Sequence, residues 1–136
     1  MSRQAIDTAD FDEIARRHGV LLLLQFGSSV RGTLHAASDV DLAVLLARPS
    51  ISFAERAALL HDLQALGPDR EVDLAIVNRA DPLFLKKILE DARLLYGDPR
   101  RLQRLKIYAF KRYQDHRRYL DMERAYVAQR LGSPAA

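Results

Sequence analysis

The polar and apolar positions cut the chain into alternating short segments. Asp10-Phe-Asp-Glu13 has the spacing of a capping box, which predicts a helix that stops at Gly19. Residues 20–26 are a nearly continuous apolar run after that glycine and read as a buried strand. Residues 27–32 read as a turn that opens at most one helical turn. Residues 40–46 read as a second buried strand, closed by Pro49. Ser52-Phe-Ala-Glu55 is a capping box for a helix to Leu66, stopped by Gly67-Pro68. Residues 71–77 alternate and are rich in branched side chains, which predicts a third strand. Asp81-Pro82 opens a helix to about Asp91, residues 93–96 suit a short edge strand, and Asp98-Pro99 opens a long helix reaching toward Leu131. Strands alternating with helices predict an α/β sandwich around a small sheet. The connections leave open whether its strands run parallel or mixed.

Composition narrows the possibilities. At 136 residues the chain suits one compact domain, and 49% hydrophobic with 29% charged residues excludes a disordered chain. The absence of cysteine excludes a disulfide scaffold, thiolate zinc and thiol catalysis, and it fits a reducing cytoplasm. The apolar run 20–24 is too short to span a bilayer, and acidic residues occupy the place of a signal-peptide core, so no membrane association is expected. The net charge of +3 hides an asymmetry. Residues 100–130 hold ten Lys/Arg against three Asp/Glu, a balance of +7, which leaves −4 for the rest. An acidic body and a basic tail suggest cation binding in one and contact with an acidic surface at the other.

The chemistry concentrates in residues 27–42. Asp39 and Asp41 lie two apart at a strand entrance, so their carboxylates share one face while Val40 and Leu42 turn to the apolar side. Two unpaired carboxylates side by side repel and raise each other's pKa. A divalent cation relieves that repulsion, and an all-oxygen donor set suits Mg²⁺ or Mn²⁺. Asp73 interrupts an apolar strand, and if that strand neighbours the first pair, three carboxylates converge. Such a triad suits the two-metal clamp of in-line nucleotidyl displacement. Gly27 and Ser28 follow a buried strand and offer close backbone approach, amide donors and a hydroxyl to phosphate oxygens, with Arg31 adding charge. Gly27 and Gly32 have Walker A spacing, but Thr33 and Leu34 stand where Lys and Ser/Thr are needed. Blander roles stand beside these: Asp73 as a structural partner of Arg70 or Arg79, and Ser38 as a turn cap. The four histidines show no ligand spacing.

Gly27-Ser28, ten residues, Asp39-x-Asp41 and the later Asp73 resemble the motif of the DNA-polymerase-β-type nucleotidyltransferase superfamily. The small size, Arg31-Gly32 and Ser38-Asp39 are similar to its minimal members, the MNT-type antitoxins paired with HEPN-domain ribonuclease toxins. The resemblance implies an α/β (α+β) fold, a small mixed sheet flanked by helices with a long C-terminal helix. It implies two Mg²⁺ ions on Asp39 and Asp41, with Asp73 contacting one ion and helping to activate the incoming hydroxyl. It implies ATP as substrate, with Gly27 and Ser28 on the triphosphate, and AMP transfer to a tyrosine hydroxyl of the toxin. Residues 1–98 would form the nucleotidyltransferase core and 99–136 a basic helical extension packed on the core or a partner. Two alternatives remain: an antitoxin that only masks its toxin, and a small-molecule (aminoglycoside-type) or RNA nucleotidyltransferase, whose pocket an oligomer could build. In the tail, Leu102, Leu105, Tyr108, Ala109, Tyr113, Leu120 and Val127 form an imperfect helical stripe, which favours packing over nucleic-acid binding.

Overall fold

The computed structural model describes residues 8–27, 30 and 39–131. Helix α1 (Thr8–His18) leads into β1 (Val20–Phe26), β2 (Val40–Leu46), α2 (Phe53–Leu66) and β3 (Val72–Ile76). A 3₁₀ turn (Val77–Arg79), α3 (Pro82–Glu90), β4 (Arg93–Gly97) and α4 (Pro99–Arg130) complete the described chain. One expectation needs correction: α1 begins at Thr8, so Asp10 lies in its first turn rather than at its cap. A carboxylate there still complements the positive end of the helix. Gly19, with φ +68°, ends α1 in the left-handed region that glycine adopts without strain.

The four strands form one sheet in the order β3-β2-β1-β4. The β2–β3 pair is parallel, and the β1–β2 and β1–β4 pairs are antiparallel, so the sheet is mixed. Helices cover both faces, which is why β1 reads as a nearly continuous apolar run. On one face Leu23, Leu42, Val44 and Leu74 pack with Phe11, Ile14, Leu59 and Leu63 of α1 and α2. On the other, Leu22, Leu24 and Ala43 pack with Leu85, Ile88 and Leu89 of α3 and with Leu102, Leu105 and Ala109 of α4.

The predicted caps are present. Ser52 and Glu55 bond reciprocally across the first turn of α2, Asp81 accepts from Leu83 N and Phe84 N, and Asp98 accepts from Arg100 N. Two side-chain clamps place β3. Gln64 Oε1 accepts from Val72 N (2.9 Å), and its Nε2 donates to the carbonyls of Gly67 and Arg70. Asn78 Oδ1 accepts from Leu46 N (2.8 Å) and its Nδ2 donates to Leu46 O (2.9 Å), joining the far end of β2 to the exit of β3. Among the described residues no helix is long and apolar enough to cross a membrane.

Candidate active site

The parallel pairing of β2 and β3 sets Asp41 directly beside Asp73. On its other side Asp41 faces Phe26, the last residue of β1. Strand alternation puts Val40 and Leu42 on the α1/α2 face and Asp41 on the opposite one. Val72 and Leu74 likewise flank Asp73 from the α1/α2 face, so both carboxylates share the α3/α4 face. Asp39 stands exposed just before β2, where Val40 N donates to Glu71 O (2.9 Å) and ties the two strand entrances together.

Gly27 closes the site from the end of β1. Its φ is +78°, and a Cβ there would lie 2.5 Å from Asp41 Oδ2. The backbone therefore runs against the Asp41 carboxylate at a distance only glycine permits. Val30 N donates to Gly27 O (3.2 Å), a turn that starts where the sequence places one. Ser28, Arg31 and Ser38 lie outside the described residues.

The electrostatics are one-signed. The Asp41 pKa is raised, first by partial burial and then by the charges of Asp73 and Asp39. Among the described residues none of the three aspartates takes part in an ion pair, whereas Glu13, Glu55, Asp62 and Glu90 all do. Asp73 thus pairs with neither Arg70 nor Arg79, and Arg79 Nε instead donates to Pro49 O (3.5 Å). No group of three His, Asp or Glu side chains among the described residues is gathered into a metal cage. Hard oxygen donors and mutual repulsion are what a divalent ion suits.

Sequence reading missed the supports of this site. Gln64 and Asn78 lie in or beside loops, and nothing in their spacing signals that their amides replace backbone partners. His18, given no role, binds Asp62 Oδ2 through Nε2 (2.6 Å) and links α1 to α2, away from the aspartates. Phe26 and Phe84 meet edge-on beside Asp41, with ring centroids 6.2 Å apart.

Asp41 lies beside Asp73 on two parallel strands, with Asp39 just before the first and Gly27 against Asp41, so the strand entrances form an acidic site. Residues 11–101 match the family described as polymerase beta, nucleotidyltransferase, and the chain belongs to it. The same fold occurs in solved toxin–antitoxin structures. One, a toxin–antitoxin with AMP-PNP, is 23% identical over 93% of this chain and 99% of that chain, with a TM-score of 0.70. Another is the tri-AMPylated Shewanella oneidensis HEPN toxin in complex with MNT antitoxin, 20% identical over 93% of this chain and 96% of that one, with a TM-score of 0.64. A third, MntA-HepT, is 19% identical over 96% of this chain and 100% of that one, with a TM-score of 0.65. A search of curated proteins gives no significant match.

Proposed function

We propose that the protein is the antitoxin of a HEPN/MNT pair, an Mg²⁺-dependent adenylyltransferase that moves AMP from ATP to a tyrosine hydroxyl of its toxin. The observation that carries this reading is the Asp41–Asp73 register, with Gly27 packed on the Asp41 carboxylate. Structures with AMP-PNP and with an AMPylated toxin, on the same fold, support the choice of nucleotide and acceptor. Residues 1–98 serve as the catalytic core, and the helical extension from residue 99 serves the partner. The reaction takes place in the cytoplasm, where ATP is available.

Asp39 and Asp41 would hold two Mg²⁺ ions, with Asp73 on one of them. Such ions, when bound, neutralise charge on the α-phosphate and on the departing pyrophosphate. The chain supplies the rest. Gly27 and Ser28 present backbone amides and a hydroxyl to the triphosphate, and Arg31 adds a fixed charge there. Asp73 takes up the proton of the acceptor hydroxyl. The acceptor oxygen bonds to the α-phosphorus, the bond from that phosphorus to the bridging oxygen breaks, and the electron pair leaves with pyrophosphate. Positioning supplies much of the remaining rate, since the nucleotide and the toxin are held by one small body.

The test is transfer of label from α-labelled ATP to the HEPN protein of the neighbouring reading frame. Wild type should label the toxin, and Asp39→Asn with Asp41→Asn should lower the rate about 1,000-fold, as loss of a metal clamp does. Undiminished transfer by the double variant would remove these residues from the chemistry. Full protection from the toxin without transfer would instead make the protein a mask.

A further inference from the structure

The row across the strand entrances does not end at the carboxylates. Asp41 stands beside Asp73 in the parallel pair, and Phe26 stands directly opposite Asp41 in the antiparallel one. Directly opposed residues bring their Cβ atoms within about 4.5–5.5 Å, so an aromatic ring is the immediate neighbour of the Asp41 side chain. Phe26 shares the α3/α4 face with the two carboxylates, and it packs there with the cluster that holds Leu85 and Ile88 of α3.

Phe84 extends the apolar end of this row. It meets Phe26 edge-on, with ring planes at 78°. In that arrangement the ring that presents its edge keeps both faces clear of its partner. Phe84 sits in the first turn of α3, where its N–H donates to Asp81 Oδ1 (3.0 Å), and the next residue, Leu85, is buried. The ring is thus braced from two sides, yet 40% of Phe84 and 50% of neighbouring Leu83 stay exposed. A single exposed apolar side chain is ordinary on a protein surface. What sets this one apart is its place beside the acidic row and its rigid seat, which leaves little freedom to lose when a ligand settles on it.

We propose that Phe84, braced by Phe26, is the platform on which the base of the donor nucleotide stacks. The proposal rests on the reading of the strand entrances as a nucleotidyl-transfer site and adds where the base lies. In-line displacement selects the occupant. The attacking and leaving oxygens lie roughly in line through the α-phosphorus. With the acceptor at Asp73 and the triphosphate at Gly27, that line crosses the entrances from β3 through β2 to β1. The ribose and its base leave the phosphorus to the side of the line. The start of α3 lies to that side, on the face to which Asp41 and Asp73 turn. An acceptor tyrosine enters at Asp73, and Phe26 stands on the far side of Asp41 from it. A hydrocarbon platform senses the area of a ring and not the hydrogen bonds at its edge, so it favours purines over pyrimidines and treats adenine and guanine alike.

The experiment uses the full chain with Mg²⁺ and three probes: AMP-PNP, the matching cytidine analogue, and inorganic tripolyphosphate, which has no base. Wild type is compared with Phe84→Ala, with Phe84→Leu, which removes the ring but keeps an apolar side chain against Phe26, and with Phe84→Tyr, which keeps the ring. Calorimetry should show AMP-PNP bound about 10-fold or more weakly by the Ala and Leu variants, as loss of a stacked base does. The cytidine analogue should lose less, tripolyphosphate should bind unchanged, and Phe84→Tyr should keep the AMP-PNP affinity of wild type. In transfer to the neighbouring HEPN protein, the KM for ATP should rise and the KM for the toxin should not. AMP-PNP bound equally by wild type and both ringless variants overturns the proposal. So does an equal loss of AMP-PNP and tripolyphosphate in both, which would make the ring a prop of the site. A rise confined to the KM for the toxin also overturns it, because the ring would then belong to the acceptor. A ring-dependent AMP-PNP affinity without AMP transfer would sink the antitoxin reading and leave the platform standing. Transfer at low ATP that both ringless variants match would do the reverse.

Discussion

The entrances of β2 and β3 and the distal half of α4 depart from ordinary folding economy in opposite ways. At the first, Asp41 is partly buried beside the like charges of Asp73 and Asp39, and among the described residues none of the three has an ion-pair partner. At the second, six large apolar side chains stand in water along one helix face. The described core contains no buried polar or charged residue, and α2, α3 and α4 are capped. Large apolar side chains stand exposed elsewhere too, Phe53 and Phe110 among them, but the distal half of α4 gathers six within thirteen residues. The difference between them teaches which ligand each awaits. A surplus of anionic oxygen suits a cation, and a surplus of exposed apolar surface suits cover.

The comparison can be broken first on stability. Ile88 is fully buried between α3 and the sheet, and Ile88→Ala should cost about 2–5 kcal/mol in denaturant unfolding. Met122 is 66% exposed, and Met122→Ala should change stability by no more than about 0.5 kcal/mol. A large cost at Met122 would mean that the distal half of α4 folds back on the core.

A second variant sharpens the acidic side. Gly27→Ala introduces a Cβ at positive φ and against Asp41 Oδ2, so the carboxylate or the turn must move. Displacing a reacting group by about 1 Å costs about 100-fold in rate, and nucleotidyl transfer should fall by that order. The same substitution at Gly67, where a Cβ meets nothing within 4 Å, should leave transfer unchanged.

Most of the fold was legible in the sequence because its signals were local. The nearly continuous apolar run of β1 marks burial on both faces, and Ser52-Glu55, Asp81-Pro82 and Asp98-Pro99 mark three helix starts. The start of α1 was misplaced because Asp10 serves the first turn as well as it would serve the cap. Asp39, Asp41 and Asp73 were legible as residue types, but the placing of Asp41 beside Asp73 was not. It depends on β3 lying parallel to β2 in a register fixed by Gln64 and Asn78, and hydrogen bonds over such distances leave no periodicity to read. Gly27 was expected to approach a phosphate, and its approach to Asp41 appears only in three dimensions. The stripe along α4 was read as packing surface. Leu120 and Val127 are exposed because the body of the protein ends before the helix does, and Tyr108 faces solvent between buried Leu105 and Ala109.

The account's central claim is that Asp41 belongs to a charge-strained site completed by a divalent cation, and melting curves of wild type and Asp41→Asn test it directly. A carboxyl whose pKa is raised on folding destabilises the folded state above that pKa, and the penalty vanishes as pH falls below the unfolded value of about 3.9. In metal-free buffer at pH 7, Asp41→Asn should therefore melt above wild type, by about 2 °C, with the gap closing toward pH 3.5. With Mg²⁺ and a non-hydrolysable ATP analogue the order should reverse, because only wild type gains binding free energy. A metal-free variant that melts below wild type, or an equal gain by both proteins on adding the ligands, would contradict the account.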